Sequence, residues 1–173
     1  LSNALVTFGT ETKTTNASGT FLFQNLKRQN GWLTVTNEQF YPLGIAVLAA
    51  VPITVDEVAL DPLVLQKRST DGVKVIFGGD TMLGRRFMDP DGASGLDVVP
   101  PSNPQAWIDT NNPEPGSRLA LSLMKPLFNL ADFSSVNLES TITNTPDTPD
   151  LGKAYVFFSL PGALSALDEL NIG

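Results

Sequence analysis

Two short stretches of this 173-residue chain set acidic and amide side chains where chemistry could be done. Gly78-Gly79-Asp80 follows the apolar run Val73 to Phe77, and Asn137-Leu138-Glu139 closes the apolar run Ser135 to Leu138. In α/β folds, ligands bind beyond the carboxyl ends of strands, and paired glycines let backbone approach a ligand while the carboxylate faces the crevice. In an extended segment Leu138 points opposite to Asn137 and Glu139, so the amide and the carboxylate share one side. If the two strands are parallel neighbours, Asp80 and Glu139 emerge at one edge, where a divalent ion could bridge them. Without an ion the two acids repel, and one needs a raised pKa. The plain alternatives are a tight turn with a solvated Asp and a strand end whose polar groups face water.

Other spacings argue against other chemistries. Gly79 and Gly84 are separated as in a phosphate-binding loop, but Arg85 and Arg86 stand where that loop needs a Lys and a magnesium-binding hydroxyl. Asp89-Pro90-Asp91-Gly92 hints at a calcium loop, yet Ser94 and Pro100 occupy the positions that require Gly and Glu. Asp147 and Asp150 lie in Thr-Pro-rich sequence and read as a solvated loop. The chain has no His and no Cys. Within it, therefore, a Ser-His-Asp triad, a His-bound or thiolate zinc and an imidazole acid or base are excluded, leaving carboxylates, amides, hydroxyls, Lys and Arg. Eleven basic against eighteen acidic residues give a net charge of −7, which disfavours nucleic acid as a partner. The longest apolar stretch, Ile45 to Ile53 across Pro52, is far below the roughly 20 residues of a membrane-spanning helix, so no transmembrane segment is expected. Leu1 to Phe8 lacks the basic start and apolar run of a signal peptide.

The elements that must position these groups fall into two parts. Ser69-Thr70-Asp71-Gly72 reads as a linker or turn, and the acidity is concentrated after it, which sets domains at 1–72 and 73–173. The first part is all-β. Ala4, Val6 and Phe8 alternate with Leu5 and Thr7, Thr20 to Phe23 and Trp32 to Thr36 have strand composition, and Ile45 to Val51 and Val58 to Leu65 suit strand edges beside Pro52 and Pro62. Turns are expected at Asn16 to Gly19, Gln29 to Gly31 and Tyr41 to Gly44, and the sum reads as a small antiparallel β-sandwich. The second part alternates strand and helix: strands over Val73 to Phe77 and Ser135 to Leu138, a helix over Arg118 to Leu130 interrupted by Pro126, and a closing helix from Pro161 to Asn171. That last helix would bury Ala163, Leu164, Leu167 and Leu170, with Gly173 as a cap. Asp89 to Gly116, rich in Pro, Gly, Asn and Asp, is expected as one long surface loop.

Taken in order, Gly78-Gly79-Asp80-Thr81-Met82-Leu83-Gly84-Arg85, then Ala131-Asp132-Phe133-Ser134-Ser135-Val136-Asn137-Leu138-Glu139-Ser140-Thr141-Ile142-Thr143, resembles the bacterial capsule-synthesis CapA family, also called the poly-gamma-glutamate synthesis family. Lys153 to Phe158 and the helix leading to Asn171-Ile172-Gly173 are similar to the segments that follow in it. Residues 1–72 resemble a carboxypeptidase regulatory-like, transthyretin-like β-sandwich, on Ala4-Leu5-Val6-Thr7, Thr15 to Gly19, Phe21, Phe23, Leu26 and Leu63-Val64-Leu65.

These resemblances imply an α+β chain: the sandwich, then the first portion of an α/β metallophosphoesterase-like (α/β/β/α) domain. They also imply a divalent metal (Mn, Fe, Zn or Mg) held by Asp80, Asn137 and Glu139, which would activate a water, and an anionic polymer or phosphoester substrate faced by Arg85. The family's Asn-Asn-His motif and later metal-site residues would lie beyond Gly173, so the rest of the domain is an expected partner and this chain alone is expected to be inactive. The setting implied is the bacterial cell envelope or exterior. A second reading is a non-catalytic envelope scaffold with a degenerate phosphoesterase fold.

Overall fold

The structure, a computed structural model, describes residues 1–27, 29–48, 57–94, 99–146 and 157–172. It is of mixed α+β class, and the chain divides into two units: residues 1–74 with 129–132, and residues 75–128 with 133–173.

The first unit is built on one antiparallel sheet. Strands β1 (Leu5–Phe8), β2 (Glu11–Thr14), β3 (Asn30–Asn37) and β4 (Phe40–Leu48) pair in the order β2-β1-β3-β4. Period-two alternation sends Val6, Phe8, Leu33 and Val35 to one face, where with Ala4 they form a buried core. Phe21, Phe23, Leu26, Leu63 and Leu65 pack over that core, and the Phe21 and Phe23 rings meet edge to face with centroids 5.9 Å apart. Neither 20–23 nor 58–65 is a strand, contrary to the sequence expectation: their apolar side chains cover the sheet without joining a ladder. Edge strand β2 is exposed throughout, and its Glu11 and Lys13 discourage pairing with another chain.

Two expected turns are also corrected. Gly31 lies within β3, under the Phe8 ring, and Tyr41 to Gly44 lies within β4. The reversal comes earlier, where Asn37 Oδ1 accepts the Gln39 N–H at 3.0 Å. Pro42 is tolerated because β4 is an edge strand and its register with β3 shifts there, so no ladder hydrogen bond is asked of the missing N–H. The turn at Asn16 forms as expected: its Oδ1 accepts the N–H groups of Ser18 and Thr20, both at 3.0 Å, and Gly19 takes φ +80°.

The second unit begins with β5 (Val75–Thr81) and continues through a 3-10 turn (Arg85–Phe87), helices α1 (Pro113–Ser122) and α2 (Lys125–Phe128), and β6 (Phe133–Leu138). Short strands β7 (Thr141–Ile142) and β8 (Phe158–Ser159) follow, then α3 (Gly162–Leu167) with a 3-10 extension over Asp168–Leu170. β5 pairs with β6 and β7 with β8, both in parallel. The core gathers Leu83, Met88, Ile108, Leu121, Phe128, Phe158, Leu160, Ala163, Ala166 and Leu170.

Helix α1 starts five residues before the expected Arg118. Its prolines suit a first turn, where backbone N–H groups have no helical partner anyway. Asp89 to Gly116 is therefore not one surface loop: its described part buries Ile108 and ends in helix. Gly116 is required by contact, since a Cβ there would lie 2.1 Å from the Trp107 carbonyl oxygen. Arg118 ties α1 to the chain's last turn, donating to Glu114 Oε1 at 2.9 Å and to Glu169 Oε1 at 3.2 Å. On the closing helix Ala166 is buried where Leu164 was expected, and Leu164 is half exposed. Asn171, left-handed at φ +49°, ends it, while the expected cap Gly173 lies outside the described residues.

Candidate functional site

The strand expected to end at Phe77 runs on to Thr81, so Gly78, Gly79 and Asp80 lie inside β5 and not in a turn after it. Val75, Ile76 and Phe77 face Phe133, Ser134 and Ser135, after which the register shifts and Asp80 stands opposite Asn137. β5 thus spends one residue more than β6 over this interval, a bulge at the two glycines. Gly78 is needed there, because a Cβ would meet Val136 Cγ1 at 2.8 Å and the Phe128 ring at 3.1 Å. The two strand ends are joined again where the Glu139 N–H donates to the Thr81 carbonyl at 3.2 Å.

Asp80, Asn137 and Glu139 are consequently brought together on an exposed strand edge. Asn137 Nδ2 donates to Asp80 Oδ1 at 2.7 Å. That bond and a hydrogen bond from the Glu139 carboxyl hold the Asp80 carboxyl below its ordinary pKa. Glu139 is pushed up, first by the same hydrogen bond to Asp80 and then by repulsion from its charge. The two carboxyls are thereby driven apart in their titration, Asp80 losing its proton before Glu139. The Asn137 amide eases the repulsion between the two acids by donating to Asp80.

The trio fits a divalent cation in its donor chemistry. Asn137 turns its N–H to Asp80, so its amide oxygen, a hard donor like the two carboxylates, would join them on a cation after the amide turns over. Among the described residues no group of three or more His, Cys, Asp or Glu side chains could hold a metal. Any site here rests on two carboxylates and an amide.

Arg85 stands on the turn after β5, with left-handed backbone at φ +49°, and its guanidinium lies over the Phe157 ring, 5.3 Å from the centroid. Gly84 has a structural duty unlike that of a phosphate loop: a Cβ would lie 2.0 Å from the Phe158 carbonyl oxygen. Asp89 and Asp91 form a turn, accepting the backbone N–H groups of Ser94 at 3.0 Å and Ala93 at 3.2 Å. Asp147 and Asp150 lie outside the described residues. Sequence reasoning missed the Thr81 carbonyl that anchors Glu139, since a backbone acceptor carries no residue signature.

Comparison with known protein families, curated protein sequences and solved structures gave no match to this chain. Among the described residues no helix is long and apolar enough to cross a membrane.

Proposed function

We propose that this chain supplies part of a divalent-metal site in a hydrolase related to the CapA family and to calcineurin-like metallophosphoesterases, acting on an anionic polymer or phosphoester at the bacterial cell envelope. The observation that carries the reading is the parallel pairing of β5 with β6, which sets Asp80 opposite Asn137 and joins both to Glu139. Asp80 and Glu139 would hold the ion by their carboxylates and Asn137 by its amide oxygen. When bound, such an ion supplies Lewis acidity for activating water. Arg85 brings a permanent positive charge to the turn that follows Asp80, suited to an anionic substrate.

The Asn137 hydrogen bond to Asp80 favours a second reading, a non-catalytic envelope scaffold, because it eases the acidic pair with no ion. Manganese titration by calorimetry and by paramagnetic NMR broadening separates the two. Broadening is expected to centre on Gly79, Asp80, Asn137 and Glu139, and Asp80→Asn or Glu139→Gln should each weaken binding about tenfold or more, as loss of a supporting group does in metal sites. Absence of binding, or broadening centred on Asp147 and Asp150, would sink the metal reading.

The pH dependence has a defined sign. Glu139 has a raised pKa, so its proton must leave before both carboxylates can ligate, and metal affinity should climb as pH rises through that raised value and then level off. In Glu139→Gln the climb should move down to the lowered range of Asp80. An affinity that does not rise as pH is raised from acidic conditions would contradict the upward shift of Glu139.

A further inference from the structure

Ser159 in β8 is fully buried, and its hydroxyl touches both segments that leave the candidate site. Its Oγ accepts the Leu83 N–H at 3.0 Å and shares a 2.8 Å hydrogen bond with Ser140 Oγ. Leu83 comes three residues after Asp80, and Ser140 directly follows Glu139. One side chain therefore spans the exits of β5 and β6. Its backbone adds a further tie, since the Ser159 carbonyl accepts the Thr143 N–H at 3.0 Å.

A hydroxyl at this place is costly unless it is satisfied, because it lies between Phe158 and Leu160 of the hydrophobic core. It can donate once and accept twice, which is enough to serve Leu83 and Ser140 together. An alanine would leave the buried Leu83 N–H without its side-chain acceptor and would free Ser140 to turn toward water. Both chain exits would then relax separately, and with them the spacing of the carboxylates.

We infer that Ser159 is a positioning residue that fixes Asp80 and Asn137 relative to Glu139 through Leu83 and Ser140. The inference rests on the reading of those three residues as a functional site, but its test can be scored without a metal.

The experiment uses the full chain in three variants: Ser159→Ala, Ser140→Ala and, as control, Ser134→Ala. Ser134 is also a buried serine of the second unit, and its hydroxyl goes to the Phe128 carbonyl at 3.5 Å instead of to either exit. Amide hydrogen exchange of Glu139, whose N–H bonds the Thr81 carbonyl, is compared with that of Ile108, whose N–H bonds the Phe87 carbonyl in the core of the same unit. Ser159→Ala should speed Glu139 exchange about tenfold more than Ile108 exchange, the scale of one lost buried hydrogen bond. It should also shift the Asn137 side-chain amide resonance and weaken manganese binding about tenfold. Ser140→Ala should give a smaller effect of the same sign, and it decides the matter if Ser159→Ala does not fold. If wild type binds no manganese but Glu139 and Asn137 still respond, the positioning role stands and the metal reading falls. If neither serine variant moves Glu139 or Asn137 more than Ser134→Ala does, the inference is overturned.

Discussion

Replacing Gly84 with alanine is expected to lower the stability of the second unit by about 3 kcal/mol, at the upper end of the cost of overpacking a core. The added Cβ would lie 2.0 Å from the Phe158 carbonyl oxygen, well inside van der Waals contact, and both atoms belong to backbone or to groups rigidly attached to it. Relief cannot come from a rotamer change. It requires the turn at Arg85 or strand β8 to move, and β8 is held by its parallel ladder to β7 and by the Ser159 hydrogen bonds. Urea denaturation followed through second-unit amides measures the effect. Gly79→Ala is the control, since no atom lies within 4 Å of its hypothetical Cβ. Equal midpoints for the two variants would show that the close approach at Gly84 is not as described.

A loss of similar size is expected in the first unit from Phe8→Ala. Phe8 ends a central strand, is 4% exposed, and lays its ring over Gly31 of β3, where a Cβ would stand 3.3 Å from a ring carbon. Truncation removes the largest side chain of a core made otherwise of Ala4, Val6, Leu33 and Val35, and should cost about 3 to 5 kcal/mol. Faster exchange at the amides of Val6 and Val35 is the direct readout. Protection unchanged from wild type would mean that Phe21, Phe23 and Leu26 close over the vacancy without loss.

Local chemistry made some of this legible in the sequence and hid the rest. The Val6, Phe8 and Leu33, Val35 alternation declares a half-buried sheet, because period two is set by the pleat itself. Asn137 and Glu139 are expected on one side by the same alternation, and both reach Asp80. What the sequence hid was decided by partners. Pro42 and Gly44 look like turn residues until edge position and a register shift make them acceptable in β4. Phe21, Phe23, Leu63 and Leu65 have strand composition, yet they serve only as cover for a sheet whose hydrogen bonds are satisfied elsewhere. Pro113 and Pro115 read as loop residues, although the first turn of a helix is where proline costs least. At the candidate site both glycines and the carboxylate were visible, but the bulge was not, since only the neighbouring strand defines a surplus residue.

That surplus residue bears on how such a chain can drift in sequence. Along a pleated strand, exchanging one side chain for another leaves those downstream pointing as before, whereas adding or removing a residue inverts them. Phe77 and Asn137 belong to the outward side of the β5–β6 ladder, and Asp80, three places beyond Phe77, reaches that side only because the ladder is counted out unevenly. Position 79 has open space around it and can accept many residue types. A chain that lost it would place the same aspartate two positions beyond Phe77, still on the outward side and opposite Asn137, in a ladder counted out evenly. At this point of the molecule a one-residue deletion would therefore keep the aspartate's direction and its partner, and what it would remove is the local bend and extra twist that a bulge gives its strand.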